Sequence, residues 1–396
     1  MMIQLYDNKG IPRGILLMMA VVGGLTVANL YYNQPLLEEI RASLGISEVQ
    51  ANLITVMTQI GYALGLIFIV PMADIWSRRR IVMTNMSIAV VMALAIALAG
   101  NVAVVWAASI VLGACSVVPQ IFVPMAGQFS RPEDKSKNMG IVLSGLLTGV
   151  LGARVISGYL GGWLGWRWMF GVAAAVMLLC LLVSLRLLPK AAPTYKGNYR
   201  GLMRTVGTIF LTHPRMRLYA LRALFSFGSM MAIWSCIAFH LADAPFHASS
   251  DKVGLLGLCG VAGAMAASVV GKYIPQFGIQ RISVFGSCLQ CLAWLTAYTF
   301  GHTYTGLVAA IMLVDIGAQC QQLSNQSGCL AEVPGASNRA NTIFMTSLFT
   351  GGCMGTFAAG MVWGSYGWTG ICAVGMVFCL CSMLVSAHIG RKTASK

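Results

Sequence analysis

The chain has 396 residues, of which 58% are hydrophobic and only 9% charged, with a formal net charge of +15. Soluble domains carry about a quarter charged residues, so the composition excludes a water-soluble globular protein and points to a chain solvated by lipid. The basic residues sit in short connections between apolar runs, which reads as membrane orientation rather than nucleic-acid binding.

In chain order, Met1–Ile11 is a polar leader without a small-x-small cleavage site, so the first apolar run is expected to stay as a signal anchor. Crossing about 30 Å of hydrocarbon takes about 20 apolar helical residues. Twelve segments meet that requirement: Gly14–Leu37, Gln50–Met72, Ile81–Ala99, Val102–Ala126, Met139–Leu160, Met169–Leu188, Leu218–Ala242, Val253–Ile274, Ile282–Phe300, Tyr304–Gln326, Thr342–Trp363 and Gly370–Ile389. With both termini in the cytoplasm, 22 of the 26 Lys and Arg face inward; Arg41, Arg167 and Lys252 face outward and Arg154 lies within a span. The inverse topology breaks the positive-inside rule.

The one long connection, Pro189–Arg217, carries Lys190, Lys196, Arg200, Arg204, Arg215 and Arg217, with Tyr199–Leu211 as a short surface helix. It separates residues 1–188, a six-helix bundle, from 218–396, a second one, with 189–217 as a cytoplasmic linker. The two sets echo each other. Shifted by 202 positions, Leu146–Val172 returns as Leu348–Val374, with Leu146, Thr148, Gly149, Gly158, Gly162, Gly165, Trp166 and Val172 repeated identically. Each copy is a small-residue helix, a Gly-Trp corner and the start of another apolar helix. Internal repeats of this kind are a common plan for membrane transporters. The exception is Arg154, which becomes Thr356.

Polar residues recurring on one face of an apolar helix point to protein interior or a water-filled path. Asp315, Gln319, Gln322 and Gln326 form such a face on the tenth span, with Asp315 roughly 16 Å deep at about 1.5 Å per residue. Ser109, Gly113, Ser116 and Gln120 match it on the fourth span. The first offers Thr26, Asn29 and Asn33, with Tyr31, Tyr32 and Gln34 beyond. The seventh offers Ser226, Ser229 and Trp234. The expected cavity lining is therefore Asn29, Asn33, Ser116, Gln120, Ser226, Ser229, Trp234, Gln319, Gln322 and Gln326. The competing reading of any single amide is helix–helix glue. Arg154 and Asp315 stand out as the plainly intramembrane ions. Each costs about 2.5–3.5 kcal/mol at a helix centre on insertion scales, so each needs compensation from the other, from substrate or from water. A buried carboxylate without a stable cation is suited to proton exchange and so to coupling protons with substrate.

Asp74-Ile-Trp-Ser-Arg78-Arg79-Arg80 places an acid at a helix end before three arginines, a candidate latch whose bland alternative is topology enforcement. The twelve cysteines lie mostly in apolar runs; Cys288/Cys291 and Cys379/Cys381 read as packing rather than metal or redox sites. No phosphate-binding Gly-x-x-x-x-Gly-Lys-Ser/Thr, His-Glu-x-x-His or Gly-x-Ser-x-Gly occurs, and no acid–base–nucleophile set is visible, so a membrane enzyme ranks last.

VPMADIWSRRR (Val70–Arg80), after Gly61 and Gly65, resembles the major facilitator superfamily signature between the second and third helices, Gly-x-Leu-Ala-Asp-Arg-x-Gly-Arg-Lys. Asp74, Arg78 and Arg79 match it; Val70 and Ser77 depart from it. The second half keeps Gly271 and Gly278 in GKYIPQFGIQR but has Pro275 for the acid. Gly145–Gly158 is similar to the fifth-helix motif of drug:proton antiporters, with Arg154 in place of proline; Ser109 stands where many proton-coupled members have arginine. LTVANLYYNQPLL (Leu25–Leu37) and VVPQIFVP (Val117–Pro124) resemble the YgaY-like group of bacterial transporters.

The resemblance implies an all-α membrane protein with two pseudo-symmetric six-helix bundles around a central cavity, in the bacterial inner membrane. In that picture the glycine-rich fifth and eleventh spans let the halves approach closely. It implies a secondary active transporter working by alternating access, with Asp74, Arg78, Arg79 and Arg80 in gating. Proton-coupled efflux of a small, fairly apolar compound is the first expectation. Uptake of a small organic anion paired with Arg154, and a passive facilitator without ion coupling, are the alternatives. The expected partners are a small-molecule substrate, protons and the lipid bilayer, for a monomer with no cofactor, metal or nucleic acid.

Overall fold

A computed structural model of the chain describes residues 5–189, 197–333 and 336–394. Lys190 and Lys196 of the linker lie outside the described residues. Fourteen α-helices are present among the described residues, and no strand. They are α1 (Arg13–Ala28), α2 (Leu37–Leu44), α3 (Glu48–Ile75), α4 (Arg78–Ala97), α5 (Val102–Cys115), α6 (Val118–Phe129) and α7 (Lys135–Leu164), followed by α8 (Trp166–Leu187), α9 (Tyr199–Thr212), α10 (Pro214–Ala242), α11 (Ser250–Leu256), α12 (Gly260–Phe300), α13 (Tyr304–Ala331) and α14 (Ser337–Ala394).

Ten helices among the described residues are long and apolar enough to cross a membrane. With the shorter α1 and its following turns, and with α14 counted twice because it folds back on itself, they make the twelve expected crossings. The folds fall at glycine. Gly165 (φ 85°, ψ 157°) separates α7 from α8, and Gly278 (φ 79°, ψ 157°) breaks α12 into two crossings. Gly367 (φ 51°, ψ −140°) does the same to α14. A residue with a Cβ is strained at such positive φ, so the Gly-Trp corners read from the repeat are corners for a steric reason. Helix starts are written locally too. Ser47 and Gln50 form a reciprocal capping box on α3, and Asn101, Asn198 and Thr303 cap α5, α9 and α13.

Three spans differ from the continuous helices expected; the eighth passes from α11 through a 3-10 turn at Gly257–Cys259 into α12. The first ends as an α-helix at Ala28 and continues through turns with i→i−3 bonds (Leu30 to Val27, Tyr31 to Ala28) to a 3-10 turn at Gln34–Leu36. The Asn29 side chain caps the Thr26 carbonyl, and Pro35 has no N–H to continue the ladder. The fourth breaks between α5 and α6, where Pro119 near the start of α6 likewise removes a donor and Ser116 N–H bonds Gly113.

The molecule has a basic end, where Arg78, Arg79 and the α9 linker helix meet. Arg78 Nη1 donates to Gln128 Oε1 at 2.6 Å, Arg79 to the Leu185 carbonyl, and Tyr199 OH to the Phe68 carbonyl at 3.1 Å. α9 is amphipathic as expected and buries Leu202 and Ile209. At the opposite end, helices of the two halves cross closely, and that closure frames the site.

Candidate functional site

A central cavity lies among α1, α3, α6, α7, α10, α12, α13 and α14. Its polar lining is Tyr31, Tyr62, Gln120, Arg154, Asp315, Gln319 and Gln322; Phe227, Met230, Leu348 and Phe349 supply an apolar wall. Gln120 and Met345 also line a second hollow at the basic end, bounded by Asp74, Arg78, Asn338, Arg339 and, from α9, Leu202 and Val206. Gln120 and Met345 thus border both hollows.

Arg154 of α7 and Asp315 of α13 come from different halves and enter the same cavity, with only 4% and 5% of their surfaces exposed. They make no direct ion pair; no nitrogen–oxygen distance between them is within 4.0 Å. Trp234 of α10 stands between them. The guanidinium carbon lies 3.8 Å from the indole centroid, and the indole Nε1–H donates to Asp315 Oδ1 at 3.1 Å. Arg154 Nε also donates to Gln34 Oε1 at 2.8 Å, and the guanidinium sits 4.9 Å from the Tyr31 ring. A desolvated cation–π contact contributes about 2 kcal/mol or more, of the same order as the insertion cost of the arginine.

Room for this arrangement comes from a glycine at every third position of the eighth crossing: Gly254, Gly257, Gly260 and Gly263. A Cβ on Gly257 would come within 2.8 Å of Arg154 Cβ, and one on Gly263 within 3.2 Å of Asp315 Cβ. This spacing was visible in the sequence and is the signal that locates both charged side chains against one crossing.

The other expected lining residues divide. Gln319, Gln322 and Gln120 line the cavity, with Gln120 Nε2 donating to Tyr62 OH at 3.2 Å. Gln326 instead donates to Asn341 Oδ1 at 2.7 Å, next to the second hollow. The remaining small polar residues do not line the cavity; each bonds a neighbouring helix or its own, with Asn29 Oδ1 buried and unpartnered. Asn29 donates to Thr26 O and Met177 Sδ, and Asn33 bonds Thr55 and Thr58. Ser116 donates to Leu112 O, Ser226 to Gln290 Oε1 and Ser229 to Gly375 O. Trp234 is buried behind the cavity wall as the bridge between the charges.

Three features were not anticipated. Arg222 is a further fully buried arginine within the seventh span, on neutral acceptors alone: Asn325 Oδ1 at 2.6 Å, Gln280 Oε1 at 2.7 Å and Ser386 Oγ at 3.3 Å. Arg154 and Asp315 are therefore not the only ions in the spans. Gln321, Ser324 and Asn325 form a second polar face on α13, turned into the second half, where Gln321 Nε2 donates to Gln290 Oε1 at 2.7 Å. Cys291 and Cys379, on different helices, have Sγ atoms 3.0 Å apart.

The end opposite the basic one is closed by two crossings. In the first, α7 lies on α11 with Gly158 against Ser250 and Gly254 backbone, and the Glu39 carboxylate accepts from Ser250 Oγ. Burial pushes the Glu39 carboxyl above its usual range. In the second, α3 lies on α14. Asn52 Nδ2 donates to the Thr356 carbonyl and Gln59 Nε2 to Thr356 Oγ1, both at 3.3 Å. The expectation that glycines of the fifth and eleventh crossings let the halves approach is met by Gly158 and Gly360, whereas Gly145, Gly149, Gly351 and Gly355 pack on α1 or α10 of their own half.

In the Asp74–Arg80 sequence, Arg78 is buried, donates to the Ala73 carbonyl and Gln128, and has Nη2 3.9 Å from Asp74 Oδ1. Arg79 ties α4 to the end of α8, and Arg80 is exposed. Asp74 shares the basic-end hollow with Arg339 of α14, so this sequence borders both halves.

Paired helical crossings around a cavity with one charge from each half define a carrier architecture. The model for the Major Facilitator Superfamily matches residues 19–356, and the chain belongs to that family. It is 34% identical over 379 residues to the "Uncharacterized transporter YgaY" of Escherichia coli O157:H7, covering 96% of each chain. It is 29% identical to the "Probable transporter SCO4007" of Streptomyces coelicolor, covering 90% of this chain and 83% of that one. Among solved structures, a point mutant of the nucleoside transporter NupG superposes with a TM-score of 0.76 at 14% identity, covering 94% and 98% of the chains. The peptide transporter POT superposes at 0.75 with 17% identity, covering 98% and 97%. The protein is thus a multi-pass membrane transporter.

Proposed function

We propose that this transporter is a proton-driven exporter of a small, fairly apolar compound, with Asp315 as the proton-exchanging group and Arg154 as its mobile counter-charge. One observation carries the reading: Arg154 and Asp315 face one cavity from different halves and share Trp234 without pairing directly. When the halves rock apart at their closed end, Arg154 leaves with α7 while Trp234 and Asp315 stay with the second half. The carboxylate then loses its nearby cation and its proton affinity changes with conformation, which is what coupling requires. Residues 1–188 and 218–396 act as the two rocking units, joined by 189–217. The basic end faces the cytoplasm of a bacterial inner membrane, in line with the positive-inside rule. There Asp74, Arg78, Arg79 and Arg80 latch one conformation. The protein works as a monomer.

The test is reconstitution into vesicles with an imposed pH gradient and a trapped pH dye, screening compounds for substrate-dependent proton flux. Export is supported when a compound accumulates against its gradient at the expense of protons and Asp315→Asn abolishes the effect while remaining inserted. Unchanged proton-coupled flux in Asp315→Asn removes this residue from the mechanism. Equilibration without accumulation at any pH difference identifies a facilitator instead.

A further inference from the structure

Resting on the reading of this cavity as the transport site, we infer that the transported compound is a zwitterion with an apolar body, its anionic group held by Arg154 and its cationic group by Asp315. The unmet valences around the two charges sort by sign. On one side, the two Nη atoms of Arg154 have no hydrogen bond within the protein; only Nε does. Gln34 adds to this side. Its Oε1 accepts from Arg154, which fixes the amide's orientation, and its Nε2 is left without a partner. That amide nitrogen is sealed from solvent, so the two Arg154 Nη atoms are the donors left open to an acceptor in the cavity.

On the other side, Asp315 Oδ1 takes the Trp234 N–H, while Oδ2 has no donor and lies toward Gly260. The Arg154 Nη atoms and Asp315 Oδ2 are not among the polar atoms sealed from solvent, and both residues line the cavity. The indole, face to the guanidinium and edge to the carboxylate, keeps the charges from satisfying each other. A ligand carrying both signs completes both. A ligand of one sign leaves the opposite ion unpaired in a poorly solvated site, which is the costly arrangement for buried charge. Val150, Phe227, Met230 and Phe349 accommodate the apolar body. An added proton on Asp315 removes the charge that holds the ligand's ammonium, so proton and ammonium exclude each other at one carboxylate while the Arg154 side is unchanged. Entry of the proton from one face of the membrane then expels the ligand there.

The experiment uses the purified full chain and thermal melting. Leucine, methionine, phenylalanine and tryptophan are each compared with the N-acetyl derivative (an anion) and the amide (a cation). A ligand bound to the folded state raises Tm in proportion to ln(1 + [L]/Kd). The expected result is that at least one free amino acid binds, at least tenfold more tightly than either blocked form. Binding of a blocked form as tight as its parent, or binding by none of the four parents, overturns the inference. In Arg154→Gln the parent and its amide should bind alike, and in Asp315→Asn the parent and its N-acetyl form should; retained discrimination in either variant also overturns it. Arg154→Lys and Asp315→Glu keep the charges and should keep the preference for the parent, which separates loss of the site from loss of the fold. In vesicles, a singly charged compound that exchanges with protons leaves proton-driven export standing and removes the zwitterion. A zwitterion carried without protons does the reverse.

Discussion

Two helix crossings close the same end of this molecule, and the internal repeat makes Arg154 on one equivalent to Thr356 on the other. At the α3–α14 crossing the polar groups are neutral and bond across the seam: Asn52 and Gln59 donate to Thr356 from a few ångströms away, and Asn52 Oδ1 is buried without a partner. At the α7–α11 crossing the backbones touch through Gly158, and Arg154 reaches past the seam to the Trp234 face. One crossing is a neutral seal bonded across both halves. The other is closed by a contact that leaves donors open toward the cavity. A pseudo-symmetric scaffold can thus be built from one repeated packing scheme while buried charge is concentrated on a single side of it.

The largest effect is expected from the acid that the charged crossing serves. Asp315→Asn should abolish pH-driven accumulation in vesicles while leaving the protein inserted and monodisperse; retained accumulation breaks the link between that crossing and coupling. Next comes Arg154→Thr, which makes the two crossings alike. Substrate affinity, read by thermal shift, should fall at least tenfold, since a charge-assisted contact in a poorly solvated site contributes roughly 1.5–3 kcal/mol. Unaltered affinity shows that the asymmetry has no bearing on binding.

The reach of sequence reasoning follows the same division. The crossings, corners and tenth-span face were legible because hydrophobic length, glycine at positive φ and helical periodicity are local properties of the chain. Gln120, Gln319 and Gln322 followed from periodicity. Asn29, Asn33, Ser116, Ser226 and Ser229 did not, since a short polar side chain on a wet-looking face finds a partner on its own or a neighbouring helix as readily as it faces a cavity. Arg222 escaped notice because it lies within reach of the basic end, where an arginine passes for a topology signal. Its acceptors come from three later segments that only tertiary structure assembles. The pairing of Arg154 with Trp234 was out of reach for the same reason.

Smaller effects sharpen the comparison. A Cβ at Gly158 would sit 2.5 Å from the Ser250 carbonyl oxygen and 2.8 Å from Gly254 Cα, all backbone; at Gly360 the nearest atoms belong to the Asn52 side chain, which can rotate. Gly158→Ala should therefore weaken the closed state by about 1–3 kcal/mol, the usual range for overpacking, and Gly360→Ala by less. Distances measured across each seam by spin labels check the ranking, and an equal or reversed order contradicts it. The smallest effect is expected at Glu39. Its carboxyl is raised by burial in the closed state, so that state binds more protons than one in which Glu39 is hydrated. Closure at this end should be favoured as pH falls through the window between the ordinary and the raised value, and should weaken as pH rises back through it, with no further change beyond. Glu39→Gln should flatten this dependence in the same spin-label distances.

The most direct test of the central claim needs no substrate. Infrared difference spectra of the purified protein between mildly acidic and alkaline solution report protonated carboxyl groups by their C=O stretch. The expected result is a carboxyl band that disappears with pH in the native protein and is missing from Asp315→Asn. Identical difference spectra for the two proteins would show that Asp315 exchanges no proton and would contradict its role as the coupling group.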